Sequence, residues 1–143
     1  MDGIDPKVAE SFATQGLMRL LGARLIAAGE GLCAIEVPLR PHLTQQDGFF
    51  HAGVTASLAD TAAGYAAYTL MDEADRVLTI EFKVNLIRPA AGERLRAEAT
   101  VVRSGRQVTV VEATARVEQE GAWRECARFL GTMMAVRGGD RPR

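Results

Sequence analysis

The segment 52–67 constrains the fold most strongly, because as a helix it would have no face suited to water. It contains seven alanines and a single charged side chain, Asp60. Gly53 and Gly64 each disfavour a helix interior by about 1 kcal/mol relative to alanine, so another interaction must favour them. Small side chains let neighbouring backbone approach closely, and a helix without a polar face is one surrounded on all sides. The segment therefore predicts a central helix wrapped by a curved sheet.

Segments with strand character lie on both sides of this helix. Two strands are predicted at 17–31 and 32–39, followed after the helix by four more at 76–88, 93–103, 107–119 and 123–136. In the second strand, Cys33, Ile35 and Val37 alternate with their neighbours, as in a sheet with one dry face. Short turns between the last four strands predict an antiparallel meander. One long helix against about six antiparallel strands is an α+β domain.

The length suits one domain with a sizeable core, and the ends of the chain add little to it. Asp5 as N-cap and Pro6 in the first turn predict a short extra helix that continues to about Gly16. We predict a single domain of 1–143, a structured core of about 17–137, and a disordered tail of 138–143.

Charge and hydropathy exclude several classes of partner. The net charge of −1 and the pI of about 6.1 offer no electrostatic reason to bind nucleic acid or an anionic membrane. No apolar stretch approaches the roughly 20 residues that a membrane-spanning helix needs. The first residues also lack the apolar run of a signal peptide. We therefore expect a cytoplasmic protein with no nucleic-acid or membrane partner.

Metal and disulfide chemistry find little support in the composition. The chain has two histidines and no clustered metal ligands, so no metal site is predicted. Cys33 and Cys126 are far apart in sequence and match no metal spacing. We interpret them as reduced thiols buried in strands, with a single disulfide as the alternative.

Asp60 conflicts with its apolar surroundings on the predicted helix. The residues one turn away on either side are Ala56, Ser57, Ala63 and Gly64. None of them is a cation, and burying an unpaired carboxylate costs several kcal/mol. Asp60 must therefore meet donors from elsewhere or face a pocket open to water, where it could act as a general base. The structural alternative is an ion pair with an arginine in a contact between subunits.

His51 lies at the predicted start of the same helix. The first amides of a helix have no partner within it, and the helix dipole adds partial positive charge there. An N–H of Ala52 or Gly53 could therefore stabilise a developing oxyanion, and one such donor is worth about 3 kcal/mol. The alternative role of His51 is a helix cap or another structural hydrogen bond.

The spacing of His51 and Asp60 predicts a shared site. Nine residues correspond to about 13 Å along a helix and to opposite faces at about 3.6 residues per turn. One helix cannot direct both side chains at the same bond. If the two cooperate, a second copy of the chain must supply one of them, as in a two-fold dimer with two equivalent sites.

The segments GFFHAGVTASLADTAAGYAA and TIEFKVNLIRPAAGERLRAEATVVRSGR resemble the hotdog-fold acyl-CoA thioesterases of the PaaI-like, phenylacetate-pathway type. The resemblance covers about 45–136. The motif of this family is Gly-x-x-His-Gly-Gly, with an acidic residue nine positions after the histidine. Gly48, His51, Ala52, Gly53 and Asp60 occupy these places, with Ala52 replacing the first glycine of the pair. That replacement keeps the backbone N–H.

The resemblance implies a role for each motif residue. Asp60 would act as general base on water, or as nucleophile through a mixed anhydride, and the Ala52 N–H would polarise the thioester carbonyl. His51 and Gln45 from the other subunit would orient the thioester or the lytic water, with Gln46 as the alternative to Gln45. Thr79 would position water, although a threonine in a strand needs no such role.

Coenzyme A would enter as part of the substrate, and no cofactor is implied. Its phosphates require cations, which Arg88, Arg103 and Arg106 could supply, while Gly105 could expose backbone amides in the turn between strands. Phe50 and Gly64 complete the predicted substrate-binding residues. The sequence does not decide whether the acyl group of the substrate is an aryl or a medium-chain fatty acyl group. It also does not decide between a homodimer and a pair of dimers.

Two other functions fit a hotdog fold. A non-catalytic module that binds acyl-CoA would have no need of the base Asp60. A hydratase acting on acyl thioesters would carry a histidine and a carboxylate in a different segment, and no such motif is present. We therefore expect an acyl-CoA thioester hydrolase, with the binding module as the alternative.

Overall fold

The structure, a computed structural model, describes residues 3–138, in which one curved sheet covers most of a long helix. The helices are α1 (Pro6–Ala13), α2 (Gly16–Leu21) and α3 (Ala52–Tyr68), and a 3-10 turn spans Pro41–Leu43. The strands are β1 (Arg24–Gly29), β2 (Leu32–Pro38), β3 (Arg76–Leu86), β4 (Arg94–Ser104), β5 (Val108–Gln119) and β6 (Ala122–Val136). The predicted disordered tail lies outside the described residues apart from Gly138. No helix within residues 3–138 has the length and apolar character needed to cross a membrane.

The six strands are antiparallel throughout and run in the order β1-β2-β4-β5-β6-β3. This confirms the α+β class with one long helix against six strands. The predicted meander is right for β4, β5 and β6 but wrong for β3, which pairs with β6 at the far edge. The link after β3 crosses beneath the start of α3, where Phe50 N–H donates to the Ala90 carbonyl at 3.0 Å. This crossing carries the chain to the side of β2, so β4 pairs with β2 instead.

The predicted strand at 17–31 is wrong in its first part, because α2 occupies Gly16–Leu21. Met18 and Leu21, three residues apart, are buried, which is a helical rather than a strand period. Gly22 then ends the helix in the left-handed conformation, with φ of 73°. The mostly apolar segment 17–23 did not by itself distinguish a helical period from a strand period.

The predicted first helix is confirmed at its start and is shorter at its end. Asp5 caps α1 by accepting a hydrogen bond from Lys7 N–H at 2.9 Å, and Pro6 is the first helical residue. The helix ends at Ala13 rather than at about Gly16.

Small residues on both sides of the interface bring α3 close to the sheet. The inner face of β4, β5 and β6 presents buried alanines to the alanines of α3: Ala97, Ala99, Ala113, Ala115 and Ala127. The sheet does not enclose the helix completely, so the prediction of a helix surrounded on all sides is wrong for a single protomer. One stripe stays half-buried: Ala56, Ser57, Asp60, Thr61 and Gly64. We call these residues the open stripe of α3.

Both cysteines are buried with free thiols. Burial raises the pKa of Cys33 to about 12 and, as the largest cause, that of Cys126 to about 11. The thiols are therefore protonated near neutral pH and do not act as nucleophiles.

A buried carboxylate organises the outer face of the sheet. Glu36 is only 1% exposed and accepts hydrogen bonds from Arg96 at 2.7 Å and from Arg94 at 3.0 Å. Both guanidinium groups also lie over the ring of Trp123. Burial acts to raise the pKa of Glu36, but the hydrogen bonds and charges of the arginines outweigh it and hold the pKa below its usual value.

Glu36→Gln should therefore lower the free energy of unfolding by about 2 kcal/mol at pH 7, because it removes the anion from this cluster. The stabilisation is complete above the unfolded pKa of about 4.3 and disappears as the pH falls through the lower folded pKa. Urea denaturation should accordingly show the difference from wild type shrinking below about pH 4. The matched control is Glu98→Gln on the same face, where the side chain is 44% exposed and should contribute less than about 1 kcal/mol. Equal losses at both sites would contradict the burial argument.

Gly92 is required by close approach of the backbone. A Cβ at this position would lie 2.1 Å from the Glu118 carbonyl oxygen, whereas a Cβ at Gly16 would meet no atom within 4 Å. We expect Gly92→Ala to destabilise the fold by at least about 2 kcal/mol. Gly16→Ala should leave stability unchanged or raise it by up to about 1 kcal/mol. Thermal unfolding of the two variants tests this, and a neutral Gly92→Ala would refute it.

Candidate active site

Asp60 lies on the open stripe of α3, next to the start of β3. Its Oδ1 accepts a hydrogen bond from the Thr79 hydroxyl at 2.7 Å. None of the ion pairs formed within residues 3–138 includes Asp60. The carboxylate is thus held by a neutral donor, with no ionic partner among the described residues.

A cleft of about 230 Å³ opens beside this carboxylate, between α3, α2 and β3. We call it the Asp60 cleft, and it is lined by Gln15, Leu17, Asp60, Thr61, Gly64, Tyr65, Val77 and Thr79. The predicted residues Asp60, Thr79 and Gly64 therefore lie together. Gln15 and Leu17 were missed because the sequence pattern assigned them to the end of a helix and to a strand.

His51 is the N-cap of α3. Its Nδ1 accepts a hydrogen bond from Gly53 N–H at 2.8 Å, and its backbone is extended, with φ of −61° and ψ of 139°. The Gly53 amide is therefore occupied. The Ala52 N–H donates to no atom within residues 3–138, so of the two predicted oxyanion donors it is the one that remains available.

A second cleft of about 470 Å³ lies at this end of α3. We call it the N-terminal cleft, and its lining includes Gln45, Phe50, Ala52, Thr55, Leu86, Ile87 and Arg88. Gln45 also orders the preceding loop, because its Oε1 accepts from Asp47 N–H at 2.5 Å and from Phe49 N–H at 3.3 Å. Gln46 is exposed and does not line the cleft, which favours Gln45 as the motif residue.

The predicted coenzyme A contacts divide between the two ends of the sheet. Arg88 lines the N-terminal cleft and donates to the Glu125 carbonyl at 3.1 Å. Arg103 and Arg106 lie around the β4–β5 turn, at the end where β3 begins. Gly105 in that turn donates its N–H to the Val108 carbonyl at 2.8 Å, and a Cβ would lie 2.6 Å from that oxygen. The glycine thus serves the tight turn, and its amide is occupied rather than free to bind phosphate.

Within one protomer, the structure separates the predicted residues into two half-sites. The Asp60 cleft has no lining residue in common with the N-terminal cleft, although α3 contributes to both. This separation agrees with the nine-residue spacing of His51 and Asp60, which predicts that one helix cannot direct both side chains at the same bond. In residues 3–138, no three His, Cys, Asp or Glu side chains are placed to hold a metal ion.

The sequence profile of the thioesterase superfamily matches residues 47–123, which is more than half of the chain. The chain belongs to the thioesterase superfamily. A protein of Halobacterium salinarum that is named as an esterase is 37% identical over 102 residues, covering 68% of this chain and 67% of the relative. The proofreading thioesterase EntH of Klebsiella pneumoniae is 30% identical over 102 residues, covering 71% of this chain and 73% of the relative.

Solved thioesterase structures share the whole architecture. A thioesterase family protein from Silicibacter pomeroyi superposes with a TM-score of 0.91 at 46% identity, covering 92% of this chain and 97% of that one. The PaaI protein of the Escherichia coli phenylacetic acid degradation operon has a TM-score of 0.81 at 23% identity, covering 95% and 98%. The predicted hotdog fold and the resemblance to PaaI-like thioesterases are confirmed.

The capping role of His51 can be measured separately from any chemistry. His51→Ala removes the acceptor for the Gly53 amide and should lower the free energy of unfolding by about 1 kcal/mol. His51→Asn should recover most of this loss, because asparagine is among the best N-cap residues. Urea denaturation of the three proteins gives the comparison. A His51→Ala variant as stable as wild type would contradict the capping role.

Proposed function

We propose that this chain hydrolyses an acyl-CoA thioester to the free acid and coenzyme A, in a site shared by two protomers. One observation carries the proposal: Asp60 lies half-buried with a neutral donor and no ionic partner, beside a cleft on the open stripe. The Ala52 amide at the start of the same helix is an available oxyanion donor. Each protomer thus presents the two halves of a hydrolytic site at separate places.

The chemistry needs few groups. As a general base, Asp60 would take a proton from water while the hydroxide adds to the thioester carbonyl, and the Ala52 amide would stabilise the oxyanion. Collapse of the tetrahedral intermediate would break the C–S bond and release the thiolate. In the alternative route, the Asp60 carboxylate attacks the carbonyl and the C–S bond breaks, which releases the coenzyme A thiolate and forms a mixed anhydride. Water then hydrolyses the anhydride to the free acid and regenerates the Asp60 carboxylate. Both routes leave coenzyme A as a product and require no further cofactor.

The edge strand β3 is suited to pairing with the same strand of a second protomer. The edge strand β3 is eleven residues long and exposes large apolar side chains: Leu78, Ile80, Phe82 and Leu86. A long apolar edge strand with unpaired backbone groups is a template for pairing with another chain. In antiparallel pairing about a two-fold axis at Phe82, Glu81 would face the partner subunit's Lys83, and the partner's Glu81 would face Lys83. The strand is therefore complementary in charge to its own copy.

This pairing would reunite the two half-sites. Thr79, which holds Asp60, lies near the start of β3, whereas Arg88 and the N-terminal cleft lie just beyond its end. Antiparallel pairing places the start of one β3 beside the end of the other. The Ala52 amide and Gln45 of one protomer would then approach Asp60 of its partner. Arg103 and Arg106 would approach the partner's Arg88 and supply cations for the coenzyme A phosphates.

The comparisons favour thioesters as the substrate class. The EntH relative is named a proofreading thioesterase, and the Silicibacter pomeroyi structure is described as a thioesterase family protein. A thioester also suits a site with one base and one or two oxyanion donors, because the thiolate is a good leaving group.

Asp60→Asn should reduce thiol release from the best acyl-CoA substrate by at least about a thousandfold, because it removes the base or nucleophile. A spectrophotometric thiol assay over aryl and fatty acyl-CoA thioesters identifies that substrate and measures the loss. Glu112→Gln, an exposed carboxylate on β5, is the matched control and should leave turnover unchanged. Near-wild-type turnover of Asp60→Asn would remove Asp60 from the mechanism. Tight binding of acyl-CoA without thiol release by wild type would favour the non-catalytic module.

Ala52→Pro tests the shared site directly. Proline is well accepted as the first helical residue, where a ring carbon replaces the N–H. The extended His51 backbone also suits a following proline. We expect a loss of about 100- to 1,000-fold in turnover with the fold retained. Unfolding and refolding an equal mixture of the Ala52→Pro and Asp60→Asn proteins should restore about a quarter of wild-type activity, because half of the dimers would be mixed and each would hold one intact site. No recovery in a mixture shown to contain mixed dimers would place the whole site within one protomer.

A further inference from the structure

A buried ion pair closes the end of the sheet at which β3 begins. Asp75, the last residue before β3, is only 3% exposed, and its Oδ2 accepts a hydrogen bond from Arg137 Nη1 at 2.7 Å. The pairing of Arg76 with Val136 aligns the two strands so that Asp75 and Arg137 are neighbours. The Gly138 N–H donates to the other oxygen of the same carboxylate at 3.3 Å. The loop after α3 is thereby joined to the end of β6.

The second terminal nitrogen of Arg137 reaches a different part of the chain. Its Nη2 donates to the Arg106 carbonyl in the β4–β5 turn. The Ala135 N–H donates to the Gln107 carbonyl at 2.8 Å, so two contacts from the end of β6 hold the backbone of this turn. A guanidinium suits the task because its planar donors can bind a carboxylate and a carbonyl at once. Asp75 therefore orients Arg137, and Arg137 orients the turn.

The turn carries two cations that have no partner in the fold. Arg103 and Arg106 are exposed, and they belong to none of the ion pairs formed within residues 3–138. Because Asp75 neutralises Arg137, the bracing residue adds little repulsion to this pair of cations. Exposed cations on a braced backbone are suited to binding an anion, since less conformational freedom is lost when the anion binds.

Stabilisation of the fold is the simpler role for such an ion pair. A buried ion pair is weak evidence for that role, because apolar side chains of similar volume often stabilise a protein as much or more. The contact of Arg137 with the Arg106 carbonyl is also not needed to neutralise Asp75. Positioning of the turn accounts for both contacts of the guanidinium.

We propose that Asp75 and Arg137 are positioning residues: by bracing the β4–β5 turn, they preorganise its two arginines to bind the phosphates of coenzyme A. This inference rests on the proposed thioesterase function. Neither Asp75 nor Arg137 lines the Asp60 cleft or the N-terminal cleft. Their effect should therefore fall on the nucleotide end of the substrate and leave the chemical step unchanged.

The test compares two thioesters of the same acyl group, the acyl-CoA and the acyl-pantetheine, which lacks the nucleotide and all phosphates. Arg137→Lys keeps a positive charge beside Asp75 but loses the planar fork that also reaches the turn. The ratio of KM for acyl-CoA to KM for acyl-pantetheine should rise about fivefold, with kcat for both substrates unchanged. Arg116→Lys is the matched control, because it alters an arginine paired with Glu98 on the outer face of the sheet, and it should leave the ratio unchanged.

A double variant removes the ion pair without leaving a buried charge unpaired. Asp75→Leu combined with Arg137→Met replaces both charges by apolar side chains. It should raise the KM ratio by a similar factor, whatever its effect on the melting temperature. An unchanged ratio in both this variant and Arg137→Lys would overturn the proposal, and so would an equal rise in KM for the two substrates.

A further measurement separates positioning from direct contact with the phosphates. In a protein that carries both Arg103→Gln and Arg106→Gln, the turn has no cations left to position. Adding Arg137→Lys to that protein should leave the KM ratio unchanged, because the effects of residues that act through one another are not additive. A further fivefold rise would place Arg137 itself at the phosphates and contradict the positioning role.

Binding of coenzyme A tests the inference apart from hydrolysis. If wild type releases no thiol from any thioester, the proposed hydrolysis fails, and calorimetric titration with coenzyme A decides the inference alone. Binding about fivefold weaker in Arg137→Lys, with Arg116→Lys equal to wild type, supports it. Equal binding by Arg137→Lys and wild type, or no binding by wild type, overturns it.

Discussion

The close approach of α3 to the inner face of the sheet is the constraint on which the rest of the structure depends. Alanines on the helix meet alanines on β4, β5 and β6, so a curved sheet can cover most of a helix that is built largely of small side chains. Dense packing of small residues requires near-contact between backbones. The curvature that produces this contact leaves one stripe of the helix outside the sheet. Asp60 lies on that stripe, where a carboxylate avoids the desolvation cost of the core.

The same geometry separates the chemical groups of the candidate site. The Ala52 amide is available only at the first turn of α3, and Asp60 lies more than two turns further along on another face. A rigid helix cannot fold back to bring them together. An unpaired edge strand beside the open stripe offers a way to unite them in trans, because antiparallel pairing of β3 with its copy exchanges the two ends. Dimerisation and catalysis would then depend on one surface.

Much of this arrangement was predictable from particular residues. The composition of α3 indicated a central helix, the absence of a nearby cation singled out Asp60, and the nine-residue spacing from His51 indicated two half-sites. The errors have physical reasons. The apolar run before Arg24 fits both a helix and a strand, and only packing of Met18 and Leu21 against the core selected the helix. Turn length alone could not predict that β3 pairs with β6, because the link after β3 crosses under α3.

By itself, the sequence determined the local features: the helix, the alternation of the strands, the N-cap residues and the chemical groups of the site. These depend on interactions between residues close in the chain, which periodicity and residue type express directly. Only the tertiary structure decided which donors are occupied and which side chains share a cleft. The pairing of the Gly53 amide with His51, of Thr79 with Asp60, and of Tyr65 with Ser11 and Gln15 depends on how distant segments are brought together. Contacts of that kind arise from sheet curvature and helix placement, which no local pattern specifies.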